Sequence, residues 1–151
     1  MIRTLFHTIL VVWLVGSLSC GGEDCLTGSL SLNDYITENE LSVTESEADP
    51  GLRYIIQDPG EGAPPILSDS ISVEFVGYTT DRDTFDMTTG SQRELLLDNL
   101  ILGWQIGLQL IGEGGRIQLF VPSRLGYVSN PVANICGNTD LIFEVELIDI
   151  R

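Results

Sequence analysis

The side chains that usually carry covalent or proton-transfer chemistry are nearly absent from this sequence. Its 151 residues hold one His, no Lys, three Cys and seven Arg, against 22 Asp and Glu. The one His, His7, sits in "MIRTLFHTILVVWLVGSLSC", which reads as an export signal. Arg3 supplies its positive start, "ILVVWLV" the short apolar core and "GSLS" the small, polar exit. The apolar run falls short of the ~20 residues that a transmembrane helix needs. Once residues 1–19 leave, neither His nor Lys remains. Ser–His–Asp and Cys–His catalysis, Schiff-base formation, P-loop nucleotide binding and His-ligated zinc are thereby excluded. Any enzyme built from the remainder must run a reaction that needs no strong base. Two places invite attention. Asp86, between Phe85 and Met87, is either a turn residue or a carboxylate facing a pocket. Trp104 follows Gly103 in "LILGWQIGLQLIGEGGR", the largest side chain beside the smallest.

Cys20 comes directly after the exit of the signal and resembles the lipidated first residue of an exported lipoprotein. Ser17 stands where such sites usually carry Leu, so plain secretion with cleavage nearby is the alternative. Cys25 and Cys136 then remain as a pair. Outside the cytosol an even pair suggests a disulfide, with two unrelated thiols as the other reading. A bridge closing so long a loop would contribute ~4–5 kcal/mol in the chain-entropy model. The formal charge of −15 argues against nucleic acid, which needs clustered Lys or Arg. It also argues against electrostatic docking on anionic lipid, leaving an N-terminal lipid as the one expected membrane contact. A self-repelling acidic surface fits a soluble monomer.

The elements that must position these residues follow from patterning. Residues 20–50 read as a tether with a short helix and an acidic linker. "GGEDCLTGSLS" is a small-residue spacer, and Ser31 with Asp34 three residues on resembles a capping box for a helix through "SLNDYITENEL". Leu32, Tyr35, Ile36 and Leu41 share one side of that helix. "SVTESEADPG" closes in a Pro50-Gly51 turn, and the domain itself is expected over 51–151. Strands are expected in "LRYIIQ", "SISVEFVGY", briefly in "TFDMTTG", and in "RIQLFVP" and "DLIFEVELIDI", where apolar residues alternate. "SRLGYVSNPVANICGN" is a long loop, and loops of that length in compact domains are usually functional. The Gly103-Trp104 stretch fits either period. Two interior Gly cost a helix up to ~1 kcal/mol each, so propensity alone leans to strand.

Taken together, "SVEFVGYTTDRDTFDMT", "LLLDNLILGWQIGLQLIGEGGR", "VPSRLGYV" and "DLIFEVELIDI" resemble, in order and spacing, the FKBP-type peptidyl-prolyl cis-trans isomerases. The resemblance covers about residues 52–150. It implies an α+β fold, a twisted antiparallel half-barrel sheet wrapped around one short helix. That helix would run from about Ile101 to Ile111, with Trp104 at its start as the floor of a proline pocket and Gly103 letting backbone and substrate approach. By the same resemblance Phe85, Asp86, Trp104, Tyr127 and Phe143 form the catalytic set. Phe75, Leu95, Leu100, Ile101 and Ile135 would bind substrate. Three departures are visible: Phe75 where the family often has Tyr, Ser91 where a basic residue is frequent (Arg93 is close), and Ile135-Cys136-Gly137 in place of a Pro-containing loop. A Cys25–Cys136 bridge would replace the rigidity of the missing prolines. The function implied is isomerisation of Xaa-Pro bonds in exported polypeptides of the bacterial cell envelope, without metal or cofactor. The alternative is a binding or chaperone module of the same fold.

Overall fold

The computed structural model describes residues 25–128 and 134–151; the expected export signal and the expected lipidation site, Cys20, lie outside the described residues. Two helices and seven strands are present among them: α1 (Leu32–Glu38), β1 (Thr44–Glu45), β2 (Arg53–Asp58), β3 (Ser70–Tyr78), β4 (Thr84–Met87), β5 (Arg93–Leu96), α2 (Leu102–Leu108), β6 (Arg116–Val121) and β7 (Leu141–Ile150). The strands form one sheet in the order β1-β2-β6-β7-β3-β4, with β5 also pairing β3. Every strand pairing in it is antiparallel.

Alternation assigns the two faces. Ile71, Val73 and Phe75 of β3, Ile117, Leu119 and Val121 of β6, and Leu141, Phe143, Val145 and Leu147 of β7 turn inward. They pack with Trp104 and Leu108 of α2 in the main core. Tyr78, Phe120 and Ile142 turn outward and would lie in water if left bare. α1 covers them with Leu32 and Tyr35, the tyrosine ring 6.4 Å from that of Phe120. A seven-residue helix is far below the length that is stable alone, so this docking holds α1 in place. Its start is capped as expected: the Ser31 hydroxyl accepts from the Asp34 N–H and also bonds the Asp34 carboxylate at 2.7 Å.

α2 is the short helix inside the half-barrel. It begins at Leu102 with Ile101 as its N-cap and ends at Leu108, shorter than the expected 101–111. Trp104 is its third residue, not its first. Gly103 serves close packing, but between helix and sheet rather than between backbone and substrate. A Cβ at Gly103 would stand 2.5 Å from Val121 Cγ1, and one at Gly107 2.5 Å from Leu119 Cδ2. Two glycines on one helix face thus let α2 lie directly on β6, and this burial outweighs their poor helix propensity.

Residues 25–50 do not hang free as a tether. Beyond α1, β1 pairs β2, and Leu26 forms a parallel β-bridge with Ile135. Cys25 and Cys136 are joined by a disulfide with Cα atoms 5.0 Å apart. β5, "RELL", carries no strand signal of its own in the sequence. Its four residues are too few for a clear period, and pairing with β3 is what makes them a strand.

Candidate active site

The inner face of the sheet and the start of α2 enclose a cavity of about 490 Å³. Neighbouring strands deliver its walls. Phe75 comes from β3, Phe85 and Asp86 from β4, Leu95 from β5 and Phe143 from β7. Leu100 and Ile101 lead into α2, which supplies Trp104, and the loop between β6 and β7 adds Tyr127 and Ile135. All ten pocket residues expected from the sequence line this one cavity.

Four rings make its apolar end. Trp104 meets Phe75 at 5.1 Å and 89°, and Phe143 at 5.3 Å and 87°; Phe143 meets Phe85 at 5.5 Å and 86°. Edge-to-face pairs such as these each contribute ~0.5–1.5 kcal/mol beyond burial and fix the rings relative to one another. Room for two of them comes from Gly77, which opposes Asp86 on β4 and Phe143 on β7. A Cβ there would lie 2.7 Å from the Phe85 ring and 2.9 Å from that of Phe143. The Trp104 indole is 4% exposed, and its N–H has no hydrogen-bond partner among the described residues. Phe75 and Phe143 both stand nearly perpendicular to the indole and hold it in place.

The polar side is built on Asp86. Arg93 of β5 grips it with two bonds, Nη1 to Oδ2 at 2.7 Å and Nη2 to Oδ1 at 3.1 Å. The same guanidinium lies over the Phe75 ring, 4.9 Å from its centroid. Position 75 lacks a hydroxyl and position 91 a base, yet Arg93 supplies a fork that fits a carboxylate and a flat cation that stacks on an aromatic face. Both partners are partly exposed, so the pair stabilises the fold by only ~0–1 kcal/mol. Its contribution is orientation. Burial, and after it the negative charge of Asp86, push the Tyr127 hydroxyl above the usual tyrosine range, so it stays a protonated donor.

Two residues escaped the sequence reading. Asn99, in the 3₁₀ turn Leu97–Asn99, also lines the cavity. The Gln105 amide donates to the carbonyls of Asp98 at 2.9 Å and Leu100 at 2.8 Å, fastening the approach chain to α2. Gln105 sits one place after the Trp, but a surface Gln on a helix carries no distinguishing signal in sequence. Among the described residues no cluster of His, Cys, Asp and Glu could hold a metal.

A model of the FKBP-type peptidyl-prolyl cis-trans isomerase family matches residues 62–148, more than half of the chain. The chain belongs to this family. Among curated FKBP-type proteins, FkpA of Buchnera aphidicola subsp. Schizaphis graminum is 37% identical over 132 residues, 85% of this chain and 51% of that protein. FkpA of Escherichia coli K12 is 38% identical over 103 residues, 67% of this chain and 38% of that protein. The crystal structure of FkpA from Escherichia coli superposes with a TM-score of 0.72 at 33% identity, covering 80% of this chain and 57% of that one. A peptidyl-prolyl cis-trans isomerase structure from Pseudomonas syringae pv. tomato gives 0.68 at 28% identity, covering 79% and 90%. The chain spans about half or less of the length of the curated FKBP-type relatives it matches. Its open antiparallel sheet around α2 is the FKBP fold.

Proposed function

We propose that this chain catalyses cis–trans isomerisation of Xaa-Pro bonds in exported proteins of the bacterial cell envelope. The observation that carries the reading is the convergence of ten expected residues on one cavity, with an aromatic box at one end and an anchored carboxylate at the other. Family membership supports it. The reaction suits the residues available. An Xaa-Pro bond must rotate through a barrier of ~18–20 kcal/mol, yet no bond breaks, so neither nucleophile nor strong base is required.

Trp104, Phe75, Phe85 and Phe143 hold the pyrrolidine ring and strip water from the amide. The planar resonance form is the more polar one, so desolvation favours the twisted form over it. Tyr127 donates a hydrogen bond to a substrate carbonyl. Asp86, set by Arg93, faces the rotating amide and orders the polar side of the pocket. An acceleration of ~10⁴-fold requires ~5.5 kcal/mol, within the range of positioning plus electrostatic complementarity. The substrates are proline-containing polypeptides, taken by a monomer that works without metal or cofactor. Export, and a lipid on Cys20, complete the proposal. Among the described residues no helix is long and apolar enough to cross a membrane.

The deciding experiment follows the cis-to-trans rate of a Leu-Pro test peptide with the oxidised protein and its Trp104→Leu variant. Acceleration by the parent and a loss of at least about tenfold in the folded variant is expected. A folded parent that accelerates nothing, yet binds proline peptides, would turn the reading to a binding or chaperone module.

A further inference from the structure

The N-terminal segment grips the loop between β6 and β7 at several separate places. Near the start of the loop, the Arg124 guanidinium is paired with the Asp49 carboxylate, one contact at 2.8 Å. Asp140, at the far end, accepts the Ser123 N–H at 2.9 Å and the Leu32 N–H at 3.4 Å. Between them lies the contact closest to the pocket. Leu26 pairs in parallel with Ile135, taking the Cys136 N–H at 2.9 Å and giving its own N–H to Asn134. The Cys25–Cys136 disulfide adds a covalent link at the same point. Residues 29 and 30 are tied in turn to the β3–β4 turn that precedes Phe85 and Asp86. The Thr80 hydroxyl donates to the Leu30 carbonyl at 2.9 Å, and the Ser29 N–H to Asp81 at 3.0 Å.

Ile135 is 3% exposed, lines the proline pocket and lies outside the main sheet ladder, six residues ahead of β7. We propose that Leu26 and the Cys25–Cys136 cystine are positioning residues of the pocket: they set Ile135 against bound substrate, so that substrate affinity depends on the oxidation state of the bridge. The proposal rests on the isomerase reading for its kinetic consequence. Phe85, Asp86, Trp104 and Phe143 stand on strands and a helix that have their own hydrogen-bond ladders. Ile135 offers only apolar contact, felt about equally by ground and transition states. Losing it raises KM and leaves kcat in place.

The test compares the oxidised full chain in mild detergent with the same protein treated with dithiothreitol, and with a Cys25→Ser/Cys136→Ser double variant. Reduction moves two electrons and two protons to the cystine, giving two thiols, while dithiothreitol closes to its cyclic disulfide. For the Leu-Pro peptide, KM is expected to rise about fivefold or more with kcat within about twofold, in both altered forms. Amide exchange supplies a readout independent of turnover. The Leu26 and Cys136 amides should lose protection while those of β6 and β7 keep it. Unchanged KM with unchanged exchange at those two amides overturns the proposal, as does a fall in kcat at constant KM. A uniform loss of protection across β6 and β7 also overturns it, since the cystine would then be a general staple. If the oxidised protein itself shows no turnover, the isomerase reading falls, and the exchange pattern alone decides the positioning claim.

Discussion

Tyr127 is the residue whose chemistry can be followed with pH. Its hydroxyl is held above the usual tyrosine range near 10 by burial first and by the negative charge of Asp86 second. It is therefore a neutral donor at every physiological pH, as the proposed reaction requires. Among the described residues there is no His to titrate near neutrality, the one His being His7. The expected kcat/KM profile is flat from pH 6 to about 10. Tyr127→Phe should lower it by up to about tenfold, the kinetic equivalent of one hydrogen bond. A break in the profile near pH 7 would show that some other group carries the polar half of the mechanism. Asp86 and Arg93 make a related point. The forked pair does little for stability, yet it keeps a carboxylate facing the pocket where the sequence offers neither a tyrosine hydroxyl at 75 nor a base at 91.

At the scale of the element, α2 decides where the indole sits. Its two glycines face β6, and Val121 is fully buried and stiff at its branched Cβ. Gly103→Ala would gain up to ~1 kcal/mol of helix propensity, but a methyl 2.5 Å from Val121 Cγ1 forces helix and strand apart. Overpacking of this kind costs ~1–3 kcal/mol, so a net loss of up to ~2 kcal/mol is expected in urea denaturation. Trp104 is the next residue, and isomerase activity should fall further than stability. Equal or greater stability with full activity would mean that the helix has slack against the sheet.

For the whole molecule, contacts between distant parts of the chain matter most. Asp49 and Arg124 are 75 residues apart and connect the segment before β2 with the turn after β6. The Arg124 guanidinium, and after it the Gly51 N–H, hold the Asp49 carboxyl down at about 2. The folded pKa is therefore below the unfolded value of 3.8. Stability from this pair is complete above pH ~4 and is lost as pH falls towards 2. Asp49→Asn should melt below the parent at pH 6, and the gap should close by about pH 2. The comparison must be made against the parent at each pH. Protonating the many other carboxylates relieves the self-repulsion of a chain that carries −15 and shifts both proteins together.

Much of this protein was written in local pattern. The alternation in β3 and β7 placed Phe75 and Phe143 on one face because side chains in a strand have period two. Ser31 and Asp34 marked the start of α1 because the cap is made within three residues. The pocket residues were legible because the blocks that carry them keep the order and spacing of a family. Other features had no local signal. "LGWQIGL" fits two periods and contains two glycines, so its helical state is decided only by packing against β6. β5 becomes a strand only beside β3. Arg93 finds Asp86 only because β4 and β5 both pair with β3. The segment before Leu52 looked like a tether because small and acidic residues say nothing of what they will touch. The Cys25–Cys136 link was legible because these are the two cysteines left beside Cys20. That Leu26 would pair with Ile135 and Asp49 with Arg124 had no signal, since over such separations only the folded chain decides what meets.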